Sequence, residues 1–105
     1  MKINSYEGII DLDTDIAKEL GFTSDKFNIG YLWKKGDAIW ISLIASLAAG
    51  NFSKIMKRIH ELGFTIVVPS PLGNMREIVR AKGFIHSAEF VEDIGETVDV
   101  WTLAP

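Results

Sequence analysis

From Phe52 to Leu62 the apolar residues Phe52, Ile55, Met56, Ile59 and Leu62 recur at helical spacing, while Lys54, Lys57, Arg58 and Glu61 lie off that stripe. Such a pattern predicts an amphipathic helix. It repeats more briefly between Pro71 and Lys82, where Met75, Ile78 and Val79 are apolar. Ser70 is placed to cap that second helix, and Pro71 suits its first position. A shorter helix over Asp15 to Leu20, starting at Asp13 or Thr14, would bury Ile16 and Leu20. Each of the three stretches runs into the same dipeptide: Gly21-Phe22, Gly63-Phe64 and Gly83-Phe84. A glycine able to turn left-handed, followed by an apolar residue that folds back, predicts three helix stops of the Schellman type.

Between these helices the pattern changes to strands. Ile3 to Ile10 is a weak candidate. Asn28 to Trp33 and Ala38 to Leu47 flank Lys34-Lys35-Gly36-Asp37, a hairpin turn. Thr65 to Val68 is β-branched throughout and reads as a buried strand, parallel to its neighbour. Phe84 to Val91 and Thr97 to Leu103 form a second hairpin around Glu92-Asp93-Ile94-Gly95-Glu96. The coarse order is β-α-β-β-β-α-β-α-β-β, which allows three strands between the first two helices. The expected fold class is α/β in the α+β sense: a mixed, mostly antiparallel sheet with helices on both faces, in a single domain over residues 1–105.

Composition narrows the chemistry. At 105 residues with 48% hydrophobic content the chain can bury a real core. A net charge of −3 does not suit a general nucleic-acid binder. Without cysteine there is no disulfide, thiolate metal site or cysteine nucleophile. The first residues lack the apolar core of a signal peptide, and the longest apolar run, interrupted by Ser42 and Ser46, is too short to span a bilayer. A cytoplasmic protein is expected, with no membrane and no nucleic-acid partner. His60 and His86 stand far apart in sequence, so no metal site is expected either.

One junction carries chemistry. The strand Ala38 to Leu47 runs through Ala48-Ala49-Gly50-Asn51 straight into the helix that begins near Phe52. The first N–H groups of a helix have no intrahelical partner, and its dipole favours negative charge there. Ala48, Ala49 and Gly50 are small enough for a phosphate to approach the backbone. The same strand–turn–helix is also an ordinary structural unit. Phe52, bulky for such a loop, is equally suited to be the first residue of its helical stripe. Neither a P-loop nor a dinucleotide fingerprint is present.

The element order, with this loop after the long strand, resembles the GNAT superfamily of acetyl-CoA-dependent N-acetyltransferases. The resemblance runs from about Asn28 to Leu103. Ile39 to Leu47 stands for the central strand, Ala48-Ala49-Gly50-Asn51-Phe52 for the pyrophosphate loop, and Met75 to Phe84 for the following helix. The segments Gly50-Asn51-Phe52-Ser53 and Val68-Pro69-Ser70-Pro71 also look like small GNAT-like proteins of bacteriophages. The resemblance implies acetyl-CoA as cosubstrate and an amine as acceptor. Its pyrophosphate would lie at Ala48, Ala49, Gly50, Asn51, Phe52 and Ser53, and its pantetheine arm along the backbone edge of Leu43, Ile44, Ala45 and Ser46.

This chain departs from the family pattern at several positions. Aligned on Gly50, Leu47 stands where the family has Gln or Arg, and Phe52 where it has a second small residue. Val79 stands where many members carry a tyrosine acid, and Leu72 where an Asn is frequent, with Asn74 two residues out of register. Ile39 to Leu47 contains no carboxylate to serve as base. Tyr31 and Glu7 are the remaining candidates for a phenol and a remote carboxylate. One short N-terminal helix stands where two are usual. These departures imply slow acetyl transfer, by positioning and oxyanion stabilisation. They also leave open a catalytically inactive binding or assembly module, or a CoA-binding regulator.

Three other groups of residues carry lesser readings. Glu7, Asp11, Asp13 and Asp15 would attract a cationic amine, or form a solvated acidic loop at a helix start. Lys54, Lys57, Arg58, Arg76, Arg80 and Lys82 cluster on two helices; one or two near the helix starts would meet the 3′-phosphate of CoA, the rest being solvated faces. Trp33, Trp40 and Trp101 lie on strands, where core and homodimer-interface roles compete.

Overall fold

The strands pair into one six-stranded sheet. The computed structural model describes residues 2–47, 50–71, 73–92 and 94–105, and only the backbone of residues 2 and 42–46. The strands are β1 (Gly8–Asp11), β2 (Phe27–Lys35), β3 (Ala38–Ser46), β4 (Thr65–Pro69), β5 (Ile85–Val91) and β6 (Glu96–Leu103). Three helices interleave: α1 (Asp15–Leu20), α2 (Asn51–Glu61) and α3 (Asn74–Ala81). The sheet order is β1-β2-β3-β4-β6-β5. All neighbours pair antiparallel except β3 and β4, which α2 crosses between and which run parallel as expected. Two strands, not three, lie between α1 and α2.

The helices do not cover both faces. Buried residues of α1 (Ala17, Leu20), α2 (Phe52, Ile55, Met56, Ile59) and α3 (Val79) share one cluster with Ile10, Leu32, Ile39, Ile41, Ile66 and Val68. The alternate residues Trp40, Val67 and Val100 form a second cluster with Trp33, Ala38, Val91 and Val98, and no helix residue joins it. Topology gives the reason. The connections β3–α2–β4 and β4–α3–β5 step in the same direction across the sheet, and right-handed crossovers that do so leave their helices on the same side.

All three Gly-Phe stops form. Gly21, Gly63 and Gly83 have φ of 80°, 86° and 79°. Phe22, Phe64 and Phe84 donate their N–H groups to Ala17, Ile59 and Val79, five residues back, at 2.8, 3.3 and 3.1 Å. The glycines donate three residues back, to Lys18, His60 and Arg80. These are the paired bonds of a Schellman motif, and all three phenylalanines are buried in the helix-side core.

Two local expectations fail. Lys2–Ser5 is a 3₁₀ turn rather than the start of a strand, and it buries Ile3 completely. α3 starts at Asn74 behind Gly73, not at Pro71, and Ser70 does not cap it. Ser70 instead donates its N–H to the Asp99 carbonyl at 2.7 Å, extending the β4–β6 pairing by one bond, with φ of 43°.

Candidate functional site: an unzipped parallel strand pair

Parallel β3 and β4 share only three register pairs: Ala38 with Thr65, Ile39 with Ile66 and Trp40 with Val67. Beyond Trp40 they part. Ile41 to Ser46 stay paired with β2, while Val68 and Pro69 stay paired with β6. Toward the strands' C-terminal ends their facing edges are therefore not paired with each other, and the gap between them is the candidate cleft. Open α/β sheets take their ligands at that end.

Two residues account for the parting. Against β2, Leu32 pairs with Ile41 and Tyr31 with Leu43, so Ser42 is an extra residue in β3. A bulge of this kind bends the strand and increases its twist. On β4, the Thr65 N–H donates to the Asp37 carbonyl at 2.9 Å, on the β3 side. Alternation puts Val67 and then residue 69 on that same side. Position 69 is proline, which has no N–H, so the ladder toward β3 loses its next donor there.

In the chain, β3 is followed by the start of α2. Gly50 is the N-cap residue with φ 88° and ψ −16°, and no side chain caps the helix. Its first turn contains no acidic residue. The Lys54 N–H reaches the Gly50 carbonyl at 3.1 Å, so Asn51, Phe52 and Ser53 are the first-turn residues whose N–H groups have no intrahelical acceptor. In α1, by contrast, Thr14 caps by accepting from the Ala17 N–H at 3.2 Å.

The expected site residues take distinct roles. The Lys26 carbonyl accepts from the Leu47 N–H at 2.8 Å and from the Asn51 side-chain amide at 2.9 Å, pinning both ends of the loop. Phe52 is buried with Ile55, Met56 and Ile59, so of its two readings the helical stripe holds, and only its backbone remains for the loop. Ser53 is exposed and lines a groove of about 410 Å³ with Met56, Lys57, His60, Lys82 and Leu103. On the other flank of α2 lies a groove of about 370 Å³, lined by Lys18, Lys26, Lys54 and Arg58 together with Glu19 and Asn51. Leu43, Ile44, Ala45 and Ser46 supply backbone along the cleft edge. Ala48, Ala49 and Leu72 lie outside the described residues.

No family model, curated protein or solved structure matches this chain. Its function must be argued from the geometry.

That geometry does not gather an acid and a base. Val79 is fully buried in the helix-side core, so its position presents no group to the cleft. Tyr31 is on β2, across β3 from the cleft, in register with Leu43. Glu7 accepts the Gly36 N–H at 3.0 and 3.2 Å and lies 3.9 Å from the buried Lys34 ammonium. It thus binds the β2–β3 hairpin, at the opposite end of β3 from Ser46. Among the acidic residues near the N-terminus, Asp13 accepts the Ser24 N–H at 2.9 Å. Hydrogen bonds from the Ser24 side chain and then its backbone hold the carboxyl below its ordinary value, with help from Lys18. His60 donates from Nε2 to the Ala104 carbonyl at 2.9 Å, and His86 stacks on Trp101 and bonds Asp99 at 3.1 Å. Both histidines thus make structural bonds. No cluster of three metal-ligating side chains occurs among the described residues, and no helix among them is long and apolar enough to cross a membrane.

Three contributors escaped the sequence reading. Lys26 acts through its carbonyl, which no side-chain pattern marks. The Ser42 bulge sits in a run apolar enough to pass for an unbroken strand. Pro69 was visible, and a proline at the end of a buried strand is a signal that its free side faces no donor-requiring neighbour.

Proposed function

We propose that this protein is a divergent GNAT-like N-acetyltransferase that binds acetyl-CoA in the cleft between β3 and β4 and acetylates an amine. The observation that carries the reading is a free strand edge followed closely in the chain by an uncapped helix start. The unzipped edge of Ile41 to Ser46 offers strand hydrogen bonds to the amides of a pantetheine arm. After it in the chain comes the uncapped start of α2 at Gly50, where the pyrophosphate would accept first-turn N–H groups. Lysines flanking that helix start add positive potential for the remaining phosphate.

In the reaction the free amine attacks the thioester carbonyl, a C–N bond forms, the C–S bond breaks and CoA leaves as thiolate. The amine proton passes to water. A β3 backbone N–H would stabilise the oxyanion, and positioning would supply most of the acceleration. Without a side-chain acid or base, a factor of roughly 10²–10⁴ is forgone. The rate should therefore rise with pH as free amine accumulates. A cytoplasmic setting, where acetyl-CoA is at hand, belongs to the same reading.

Calorimetric titration with acetyl-CoA tests binding, and absence of heat at millimolar ligand would reject the proposal. One observation favours a second reading, a CoA-binding module without turnover: the position expected to hold the acid is occupied by a core valine. Thiol release with a mixture of amines decides between the two. Turnover at the roughly 10 per second of an ordinary enzyme would refute the claim that general acid–base help is missing.

A further inference from the structure

We infer that two copies of this chain pair through β5, antiparallel and centred on Ala88, into one continuous twelve-stranded sheet. The inference is independent of what binds between β3 and β4, because β5 lies at the sheet's far edge.

Natural sheets blunt their edges with short strands, bulges, proline or lysine. The β1 edge follows that rule, with four residues. The β5 edge does not. It has seven residues, Ile-His-Ser-Ala-Glu-Phe-Val, without proline, lysine or arginine. Its register with β6 is unbroken from Ile85–Thr102 to Val91–Glu96. Two of its large apolar side chains are exposed, Ile85 at 73% and Phe90 at 60%.

The direction of its backbone groups can be read from β6. The Asp99 carbonyl accepts from Ser70, on the β4 side. The N–H and C=O of one strand residue point the same way, so Asp99 turns both away from β5. Ala88, opposite Asp99, is therefore in a non-hydrogen-bonded pair, and its own N–H and C=O face the open edge. Alternation puts His86 and Phe90 on that edge too. A two-fold axis through Ala88 then pairs Ala88 with its copy, His86 with Phe90 of the copy, and Phe90 with His86 of the copy. Each is a pair in which both N–H groups find an acceptor.

The side chains agree with the same axis. Ile85 meets Val91 of the second copy, on the face without helices. Val91 already packs against the Trp40–Val67–Val100 cluster, so the two copies' apolar strips join. Glu89, the carboxylate of the strand, meets the Ser87 hydroxyl of the copy rather than the other Glu89. An isologous contact needs this self-complementarity.

Sedimentation velocity on the full chain, from micromolar to millimolar protein, tests the assignment. The wild type should show a dimer mass. Ala88→Pro should be monomeric yet fold, because the N–H it removes points away from β6. Phe90→Lys, on an exposed side chain, should also be monomeric and covers the case in which proline disturbs the strand. Circular dichroism melts monitor folding of both. A wild type that stays monomeric to millimolar concentration overturns the inference. So does a dimer that survives both substitutions, which would move the interface elsewhere, for instance to the helix-free sheet face.

Discussion

Gly50 and Gly63 offer a matched pair that separates backbone strain from ligand binding. Their φ values are 88° and 86°, and a Cβ built on either meets nothing within 4 Å. Among the described residues, alanine at either position therefore clashes with no atom beyond its chain neighbours, and its cost is set by the left-handed conformation. That cost is about 1–2 kcal/mol, part of which is offset by the smaller conformational freedom of alanine in the unfolded chain. Each variant should lose about 1 kcal/mol, a drop in Tm of roughly 4–8 °C for a domain of this size. Binding should distinguish them. Gly63 ends α2 on the side away from the cleft, whereas Gly50 opens the helix where the pyrophosphate would lie. A methyl group there would occupy space that the proposed phosphate needs. Affinity for CoA should fall at least about tenfold in Gly50→Ala, or about 1.4 kcal/mol, and be unchanged in Gly63→Ala. The assay is thermal unfolding with and without saturating CoA. At a hundredfold excess over Kd, ligand stabilises by about 2.7 kcal/mol, so the protective shift should be smaller in Gly50→Ala. Equal protection of both variants would refute the placement of the site. Unequal loss of stability without ligand would refute the strain argument.

Three further outcomes are expected. Ile59→Ala, at a fully buried position of α2, should lose about 2–5 kcal/mol in urea unfolding; a smaller loss would mean that the core collapses around the vacated space. Pro69→Val restores an N–H facing β3, so β4 should zip toward the Ile41 carbonyl. CoA affinity should then fall while Tm holds or rises, and unchanged affinity would show that the cleft does not depend on Pro69. Asp13 has a carboxyl held below its ordinary 3.8 by Ser24. A lowered folded-state value contributes stability above the unfolded value and loses it as pH falls through the folded one. Asn tolerates the φ of 64° at this position and does not ionise. The Tm advantage of wild type over Asp13→Asn should therefore be present near neutrality and shrink below pH 3.8, and a difference independent of pH would refute the linkage.

Much of the fold could be read from residue pattern because its signals are local. Gly-Phe marks three helix stops, and the glycine and phenylalanine of each make the expected bonds. The stripe Phe52, Ile55, Met56, Ile59 is continuous and buried. The parallel pairing of β3 with β4 follows from one helix crossing between two strands. Placing all helices on one face required knowing that β5 lies beyond β4 on the side away from β3, a non-local arrangement. The start of α3 was misplaced because Ser70-Pro71 has the composition of a capped helix start. The Ser70 N–H is instead drawn to Asp99, a partner 29 residues away in the chain. At the candidate site, the loop glycine was legible and the cleft was not. An unzipped strand pair is made by a bulge and by a missing N–H, and hydrophobic pattern records neither. Val79, by contrast, was legible: it belongs to the apolar pattern of Met75 and Ile78, and all three pack in the helix-side core.

The sheet is protected unevenly. Every residue of β5 except Val91 is exposed, and the strand is held chiefly by its ladder to β6. Stability within a native protein follows such differences, and amides under thin cover open at lower free energy than those of the core. Hydrogen–deuterium exchange should therefore be graded across the molecule, slowest where β3 and β4 lie beneath α2 and fastest along β5. The outward N–H groups of His86, Ala88 and Phe90 would exchange without any opening in a lone chain. Association along that edge would slow exactly those amides first, so the protein's local opening and its concentration become one coupled variable.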